Sequence, residues 1–236
     1  MQSYEVEVKA LLGGSERAEE LRKAMRKLDP TCQLLAVNRQ LNHYFEPSAE
    51  HGGAKSPLEQ LYDATRPLVE KAAAARLADL AARATDHSVR TRLKEADDAK
   101  AVYLIVKASV GDDSSQNGVA RIEFDERIEL PLKDLDELVM SCGFAYQAKW
   151  SRQREEYVCL GINVTLDKNA GYGWLAEFER IVENADQVAN AEHDVRALME
   201  RLKVQELPQD RLERMFAHYN AHWQDYYGTD TVFTIE

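Results

Sequence analysis

Polar and apolar residues alternate with a period of two in eight segments of the chain. In residues 3–12, for example, Glu5, Glu7 and Lys9 alternate with Val6 and Val8. This period is typical of a β-strand that has one polar face. The other seven strands are predicted at 32–45, 88–96, 101–109, 118–130, 144–159, 161–167 and 174–183.

Between and after these strands, apolar residues recur every three or four positions, which predicts helices. The helical segments are 15–28, 57–84, 132–142, 186–203 and 208–227, and Pro67 is expected to divide the second. We therefore expect one domain at residues 1–184, with a helical insertion at about 48–87, and a helical extension at 185–236 that packs on it. Strands surrounded by helices in this way define an α+β protein.

At least six of the predicted strands place full charges of both signs on their polar positions. A solvated outer face is the plain explanation for any one strand, but solvated faces usually mix Thr, Ser, Gln and Lys. The apolar stripes of the helices must also cover something. These features together favour a closed, eight-stranded antiparallel β-barrel, with its apolar side outward beneath the helices and its charged side lining the interior.

A charged interior limits what the protein can bind. Carboxylates and cations in a partly desolvated tunnel need partners that neutralise them. Carboxylates can hold divalent cations, whereas crowded guanidinium and ammonium groups favour a polyanion such as a phosphate chain. The pattern therefore indicates a polyphosphate bound together with Mg²⁺ or Mn²⁺.

Composition narrows the function classes further. The chain has 30 Lys and Arg residues against 41 Asp and Glu residues, a formal net charge of −11. A net anion is a poor candidate for binding nucleic acid or an acidic membrane, and no apolar run approaches the roughly 20 residues that a membrane helix needs. The cysteines, Cys32, Cys142 and Cys159, are odd in number and far apart, which argues against a disulfide framework or a zinc site and favours a cytoplasmic protein.

The strand motifs resemble a known family. The segment Glu5–Lys9 is similar to the ExExK signature of the CYTH superfamily, the triphosphate tunnel metalloenzymes. ExExK alone is a weak signal, and the order of the later motifs makes the resemblance specific from about residue 3 to 183. Those motifs are Gln40–Phe45 (Q-x-x-x-Y-F), Val89–Arg92 (L-R-x-R), Leu104–Lys107 (single lysine), Arg121–Asp125 (R-x-E-x-E), Arg152–Tyr157 (K-x-R-x-x-Y), Leu166–Asp167 (L-D) and Gly173–Glu179 (G-x-F-x-E-x-E).

The resemblance implies roles for particular residues. The residues implied as phosphate ligands are Lys9, Arg90, Arg92, Lys107, Arg121, Arg152 and Arg154. Those implied to hold the metal, directly or through water, are Glu5, Glu7, Glu123, Asp125, Asp167, Glu177 and Glu179. In catalysis Lys9 is expected to act with Arg152, which replaces a family lysine, or with Lys149 if a bulge brings it into that place. Asp125 is shorter than the family's glutamate and is expected to reach metal only through water.

Three functions are compatible with these residues. We favour hydrolysis of a triphosphate (inorganic tripolyphosphate, thiamine triphosphate or a nucleoside triphosphate), because it requires only the tunnel. The second is a class IV adenylyl cyclase, and the third is a non-catalytic binder of polyphosphate or nucleotides, which would have no need of seven inward carboxylates. Thiamine or adenine specificity would require aromatic groups at the tunnel entrance, for which the candidates are Tyr44, Tyr103, Trp150 and Trp174. The added helices either cover the strands of a monomer or form the surface of a homodimer.

Overall fold

A computed structural model describes residues 4–49, 52, 54–84, 86–97, 99–109 and 122–235. In these residues the eight strands are β1 Tyr4–Gly13, β2 Gln33–Pro47, β3 Asp86–Ala96, β4 Ala99–Ser109, β5 Ile122–Arg127, β6 Phe144–Cys159, β7 Ile162–Asn169 and β8 Gly173–Val182. The helices are α1 Ser15–Leu28, α2 Pro57–Thr65, α3 Lys71–Arg83, α4 Leu132–Ser141, α5 Val188–Arg201 and α6 Gln209–Tyr226. The α+β class is confirmed, and each predicted strand and helix has a counterpart; of the fifth predicted strand, 118–130, residues 118–121 lie outside the described residues and the strand is observed over Ile122–Arg127.

The eight strands form one antiparallel sheet in the order β1-β8-β7-β6-β2-β3-β4-β5. This order has two ends, β1 and β5, so the hydrogen bonds of the described strands do not form a closed ring. The predicted eight-stranded antiparallel architecture is therefore confirmed, whereas the expected closure of the barrel is corrected. Sequence periodicity shows which face of a strand is polar, but it does not show whether the two edge strands of a sheet pair with each other.

The chain divides into two compact units, and the divisions fall within β2 and β6. Among the described residues, the first unit comprises 4–39 and 151–235, and the second comprises 40–109 and 122–150. Each unit has its own apolar core. The domain boundary expected at residue 184 stays a prediction.

The first unit buries the apolar faces of β1, β7 and β8. Val6, Val8 and Ala10 of β1 are fully buried, whereas the residues between them are half-buried. Val8 belongs to the same core as Met25 of α1 and Val195 of α5. The alternation predicted for β1 therefore places one strand face against helices and leaves the other face for charged side chains.

The second unit buries one face of β3, β4 and β5 together with α2, α3 and α4. Leu61, Leu77 and Leu135, one from each helix, are fully or almost fully buried in this core. The insertion is helical as predicted, and Pro67 lies in the short 3-10 turn Arg66–Leu68 that separates α2 from α3.

The turn between β7 and β8 is held by the C-terminal segment. The Gly171 amide donates to the Thr231 carbonyl oxygen at 2.8 Å, and the Phe233 amide donates to the Gly171 carbonyl oxygen at 2.5 Å. Gly171 has a φ of +91°, and a Cβ there would lie 2.5 Å from the ring of Tyr219 in α6. All three cysteines are buried and free. Within the described residues, the helices are too short or too polar to cross a membrane.

Candidate functional site

In the first unit, β1 and β8 bring three carboxylates together. Glu7 is registered opposite Glu179, and Lys9 is registered opposite Glu177. Because directly paired residues of antiparallel strands point to the same face, these four side chains share the face opposite the core. Glu5 lies on it too, since it is two residues before Glu7.

The group formed by Glu5, Glu7 and Glu179 has the donor chemistry of a metal site. One carboxylate oxygen of each residue lies within 4.8 Å of the other two, and all three residues are half-buried. Like charges directly opposite each other on a sheet are destabilising, so the Glu7–Glu179 pair needs a positive partner. Oxygen-only carboxylate sites suit hard divalent cations such as Mg²⁺ and Mn²⁺. The donor set therefore fits the predicted metal.

Lys9 and Arg154 connect this group to the neighbouring carboxylates. The Lys9 ammonium forms an ion pair with Glu7 and lies 3.6 Å from the Glu177 Oε1 atom. Glu177 also accepts a hydrogen bond from Arg154. The cations and carboxylates predicted from the first and last strand motifs are thus in direct contact.

Asp167 of β7 anchors both arginines of the β6 motif. Its side chain is completely buried and accepts from Arg152 Nη1 at 2.8 Å, from Arg154 Nε at 2.7 Å and from Arg154 Nη2 at 2.5 Å. Burial opposes the charge of Arg154, but Asp167 and Glu177 outweigh this effect and hold the pKa of the guanidinium above its ordinary value. Both guanidinium groups are consequently fixed in direction.

In the second unit, the arginines of β3 are held by side chains of β2. Arg90 Nη1 donates to the Tyr44 hydroxyl at 2.8 Å, and Arg92 Nε donates to the Asn42 carbonyl oxygen at 2.9 Å. Arg92 Nη1 also lies 3.8 Å from an oxygen of Asp125. Both arginines of β3 are therefore held in direction by side chains of β2.

A buried polar network lies on the other face of the same strands. Asp136 of α4 is 3% exposed, and its carboxylate accepts from Thr91 Oγ1 at 2.6 Å and from the Tyr146 hydroxyl at 2.8 Å. His43 Nδ1 lies 2.6 Å from the same carboxylate, and because an ionised carboxylate only accepts, this nitrogen carries the proton. Burial raises the pKa of Asp136, but the hydrogen bonds from His43, Thr91 and Tyr146 outweigh it and leave the pKa below its ordinary value.

The remaining predicted site residues are placed as follows. Lys107 is half-buried and pairs in the backbone register with Glu123. Arg121 lies outside the described residues, as does the side chain of Glu123. The Lys149 ammonium lies 4.0 Å from the ring centroid of Tyr146, which packs against the apolar core.

Sequence reasoning named Tyr44 as an aromatic candidate but missed that Tyr44 and Asn42 hold the arginines of β3. Gln40, Asn42 and Tyr44 occupy every second position of β2 and therefore share one face. This polar alternation is the sequence signal that could have identified them. Sequence reasoning also missed Glu156 of β6, which accepts from Asn38 Nδ2 at 2.8 Å. Asn38, Gln40 and Asn42 are all buried, which marks the second strand as polar and buried on one face.

The fold and this charged face define a class of protein. Its members have an eight-stranded antiparallel sheet, a cluster of carboxylates suited to a divalent metal, and fixed arginines beside that cluster. The sequence matches the CYTH domain family over residues 3–211. The protein therefore belongs to the CYTH domain family. This family is in general metal-dependent and binds triphosphates, and its members are triphosphatases or adenylate cyclases.

Solved structures are similar to this chain in fold. The PH1819 protein from Pyrococcus horikoshii is 18% identical with a TM-score of 0.63, and the alignment covers 91% of this chain and 99% of that protein. A protein from Vibrio parahaemolyticus described as a "putative adenylate cyclase" is 14% identical with a TM-score of 0.58, and the alignment covers 92% and 99% of the two chains. At such identities the likeness concerns the fold alone. A comparison with curated proteins finds no match.

Proposed function

We propose that this protein hydrolyses a triphosphate, with a divalent cation held by Glu5, Glu7 and Glu179. The observation that carries the proposal is the register of β1 and β8, which sets Glu7 directly opposite Glu179 with Glu5 beside them. Three half-buried carboxylates whose oxygens lie within 4.8 Å of one another repel each other, and a divalent cation would offset more of this repulsion than the single charge of Lys9. A protein that bound only an anion would gain nothing from this arrangement.

The arginines supply the complementary half of the chemistry. Arg152 and Arg154, both fixed by Asp167, would bind phosphate oxygens through their remaining N–H groups. Arg90, Arg92 and Lys107 are proposed as further phosphate ligands, as their family motifs imply. Asp125, Asp167 and Glu177 stay in the proposed metal-binding set, with Asp167 also serving as the anchor of the arginines.

Hydrolysis needs charge neutralisation and positioning more than covalent chemistry by the protein. A bound divalent cation would neutralise phosphate oxygens and polarise a water molecule. The water adds to the terminal phosphorus and the bridging P–O bond breaks, so inorganic tripolyphosphate yields phosphate and pyrophosphate. Lys9 and Arg152 are proposed to orient the phosphate chain for this attack. Lys149 is the weaker candidate, because its ammonium group lies on Tyr146.

Phosphorus-31 NMR distinguishes this function from its alternatives. The protein is incubated with inorganic tripolyphosphate and with ATP, first with Mg²⁺ and then with Mn²⁺. Hydrolysis predicts conversion of tripolyphosphate to phosphate and pyrophosphate, with loss of the activity in Glu179→Gln and its retention in the matched exposed-carboxylate variant Glu183→Gln. Formation of cyclic AMP and pyrophosphate from ATP would instead establish a cyclase. Tight binding without turnover under either metal would establish a binding protein.

The location and the assembly of the protein stay predictions. A cytoplasmic location is consistent with three free, buried cysteines. The proposed partner is a small triphosphate, and the homodimer expected from the apolar stripes of the added helices is testable by light scattering over a concentration series. A mass equal to one chain throughout that series would exclude the dimer.

A further inference from the structure

Two histidines lie one turn apart near the C-terminal end of α6. His218 and His222 are four residues apart, and side chains at this spacing are neighbours on the surface of a helix. Their ring centroids are 4.5 Å apart with an interplanar angle of 30°. Neither histidine belongs to the carboxylate group of β1 and β8, so the function proposed above does not account for this pair.

The backbone of α6 departs from helical geometry at His222, where φ is −131° and ψ is 20°. Helix kinks occur at proline, at Gly/Ser pairs, at π-bulges or where a side chain enters the backbone hydrogen-bond ladder, and the neighbours of His222 are Ala221 and Trp223. His222 Nδ1 lies 2.9 Å from the His218 carbonyl oxygen. In a regular helix this oxygen would accept from the His222 amide. The imidazole thus enters the ladder, which accounts for the kink.

The same hydrogen bond prepares the His222 ring to bind a metal ion. A carbonyl oxygen only accepts, so Nδ1 carries the proton, and in the neutral ring Nε2 carries the free lone pair. Metal-ligating histidines almost always donate their second ring nitrogen to a carboxylate, a backbone carbonyl or water, which fixes the tautomer and the direction of the ring. His222 is exposed, so an ion can reach it from solvent.

The His218 ring has little to lose by turning to such an ion. Among the described residues, its one polar contact is that of Nε2 with the Tyr226 hydroxyl at 3.4 Å, which is long for a hydrogen bond. Its other contacts are with aromatic rings, and the ring centroid of Phe233, in the C-terminal segment, is 4.6 Å away. A metal ion can therefore replace the contact with Tyr226 at little cost.

We propose that His218 and His222 form a second metal site, for a transition-metal dication that prefers imidazole ligands, such as Zn²⁺. Two histidines at positions i and i+4 are an arrangement by which a helix holds zinc, and water would complete the four-coordinate shell. The site is built from imidazole nitrogens and differs from the cysteine-based zinc site that the cysteine spacing argues against. It does not depend on the proposed function, because Mg²⁺ prefers oxygen ligands.

Calorimetric titration with Zn²⁺ tests this site. An excess of Mg²⁺ is present throughout to occupy the carboxylate group, and wild type is compared with His218→Gln, His222→Gln and the matched control His193→Gln, which replaces an exposed histidine of α5. Wild type should bind one Zn²⁺ per chain. Because loss of even an indirect partner of a metal costs about 10- to 100-fold in affinity, each α6 variant should bind at least about tenfold more weakly, whereas His193→Gln should change by less than about twofold.

Nitrogen-15 NMR of the imidazole rings gives a second readout that requires no variant. In wild type, Zn²⁺ should shift the ring nitrogen resonances of His218 and His222 and leave those of His193 in place. The proposal is wrong if the α6 resonances do not move, if wild type binds no Zn²⁺ in the presence of Mg²⁺, or if His193→Gln loses as much affinity as the α6 variants. Loss of Zn²⁺ binding in Glu179→Gln together with its retention in both α6 variants would also overturn it.

Discussion

Replacing Asp136 with alanine tests whether the polar network beneath α4 stabilises the second unit. The carboxylate is 3% exposed and takes part in hydrogen bonds with His43, Thr91 and Tyr146. Its removal takes away the shared hydrogen-bond acceptor of two buried groups, His43 and Thr91, and of the half-buried Tyr146 hydroxyl. Loss of one member of a buried charged network costs about 3–5 kcal/mol. For a chain of this length, that loss corresponds to a fall in Tm of roughly 10 °C.

The Asp136→Asn variant tests the pH dependence of the same network, because an amide side chain does not titrate as the carboxylate does. Because the pKa of Asp136 in the folded protein lies below its ordinary value of 3.8, the ionised carboxylate stabilises the fold above that value. This contribution is lost as the pH falls through the lower, folded-state pKa. The difference in free energy of unfolding between wild type and Asp136→Asn should therefore be constant above about pH 5 and should shrink as the pH falls below 3.8.

Urea denaturation followed by circular dichroism measures both effects. Glu137→Gln is the matched control, since Glu137 is the next residue of α4 and is exposed. Its free energy of unfolding should stay within about 0.5 kcal/mol of wild type. If Asp136→Ala destabilises no more than Glu137→Gln, or if the Asp136→Asn difference is independent of pH throughout the acidic range, the network is not a stabilising one and the reasoning fails.

Two further predictions concern the first unit. Mg²⁺ or Mn²⁺ at about 100 times its dissociation constant should stabilise wild type by about 2.7 kcal/mol; Glu179→Gln should abolish this shift in thermal melts, and the exposed control Glu183→Gln should retain it. An equal shift in Glu179→Gln would exclude Glu179 as a metal ligand. Gly173→Ala should destabilise by more than about 1 kcal/mol, because φ is +75° and the new Cβ would lie 2.5 Å from the Gly13 carbonyl oxygen. Gly52→Ala meets no atom within 4 Å and should be neutral; equal Tm values for the two glycine variants would contradict this account.

Much of the fold was predictable because alternation is a local property. Each residue of β1 reveals its face by its own polarity, so the charged positions Glu5, Glu7 and Lys9 could be distinguished from Val6 and Val8 without any knowledge of partners. The helices of the insertion could be predicted for the same reason, because the effect of a proline on a helix does not depend on the rest of the fold. Whether the sheet closes could not be predicted in this way, because closure depends on pairing between strands far apart in sequence, and the predicted closure was wrong.

The supporting residues of the site were harder to predict for a different reason. Asp136 reads as one more acidic residue on an amphipathic helix, and only the approach of Thr91 and Tyr146 turns it into a buried hydrogen-bond acceptor. Asn42 and Asp167 depend likewise on arginines from other strands. The sequence pattern identifies the charged side chains, whereas the side chains that orient them are recognised only when their partners on other strands are known.

In β2 and in β3, fixing a residue on one face of the strand also fixes its neighbours on the opposite face. His43 and Thr91 are fixed to Asp136 on the apolar side. The residues beside them in sequence, Tyr44 and Arg90, are therefore directed to the charged side. A one-residue slip of β3 would exchange Thr91 with an arginine and bury that arginine beneath α4, at a cost of several kcal/mol. The Asp136 network thus favours the single register in which Arg90 and Tyr44 share the charged face, although the Asp136 carboxylate is on the opposite side of the strands.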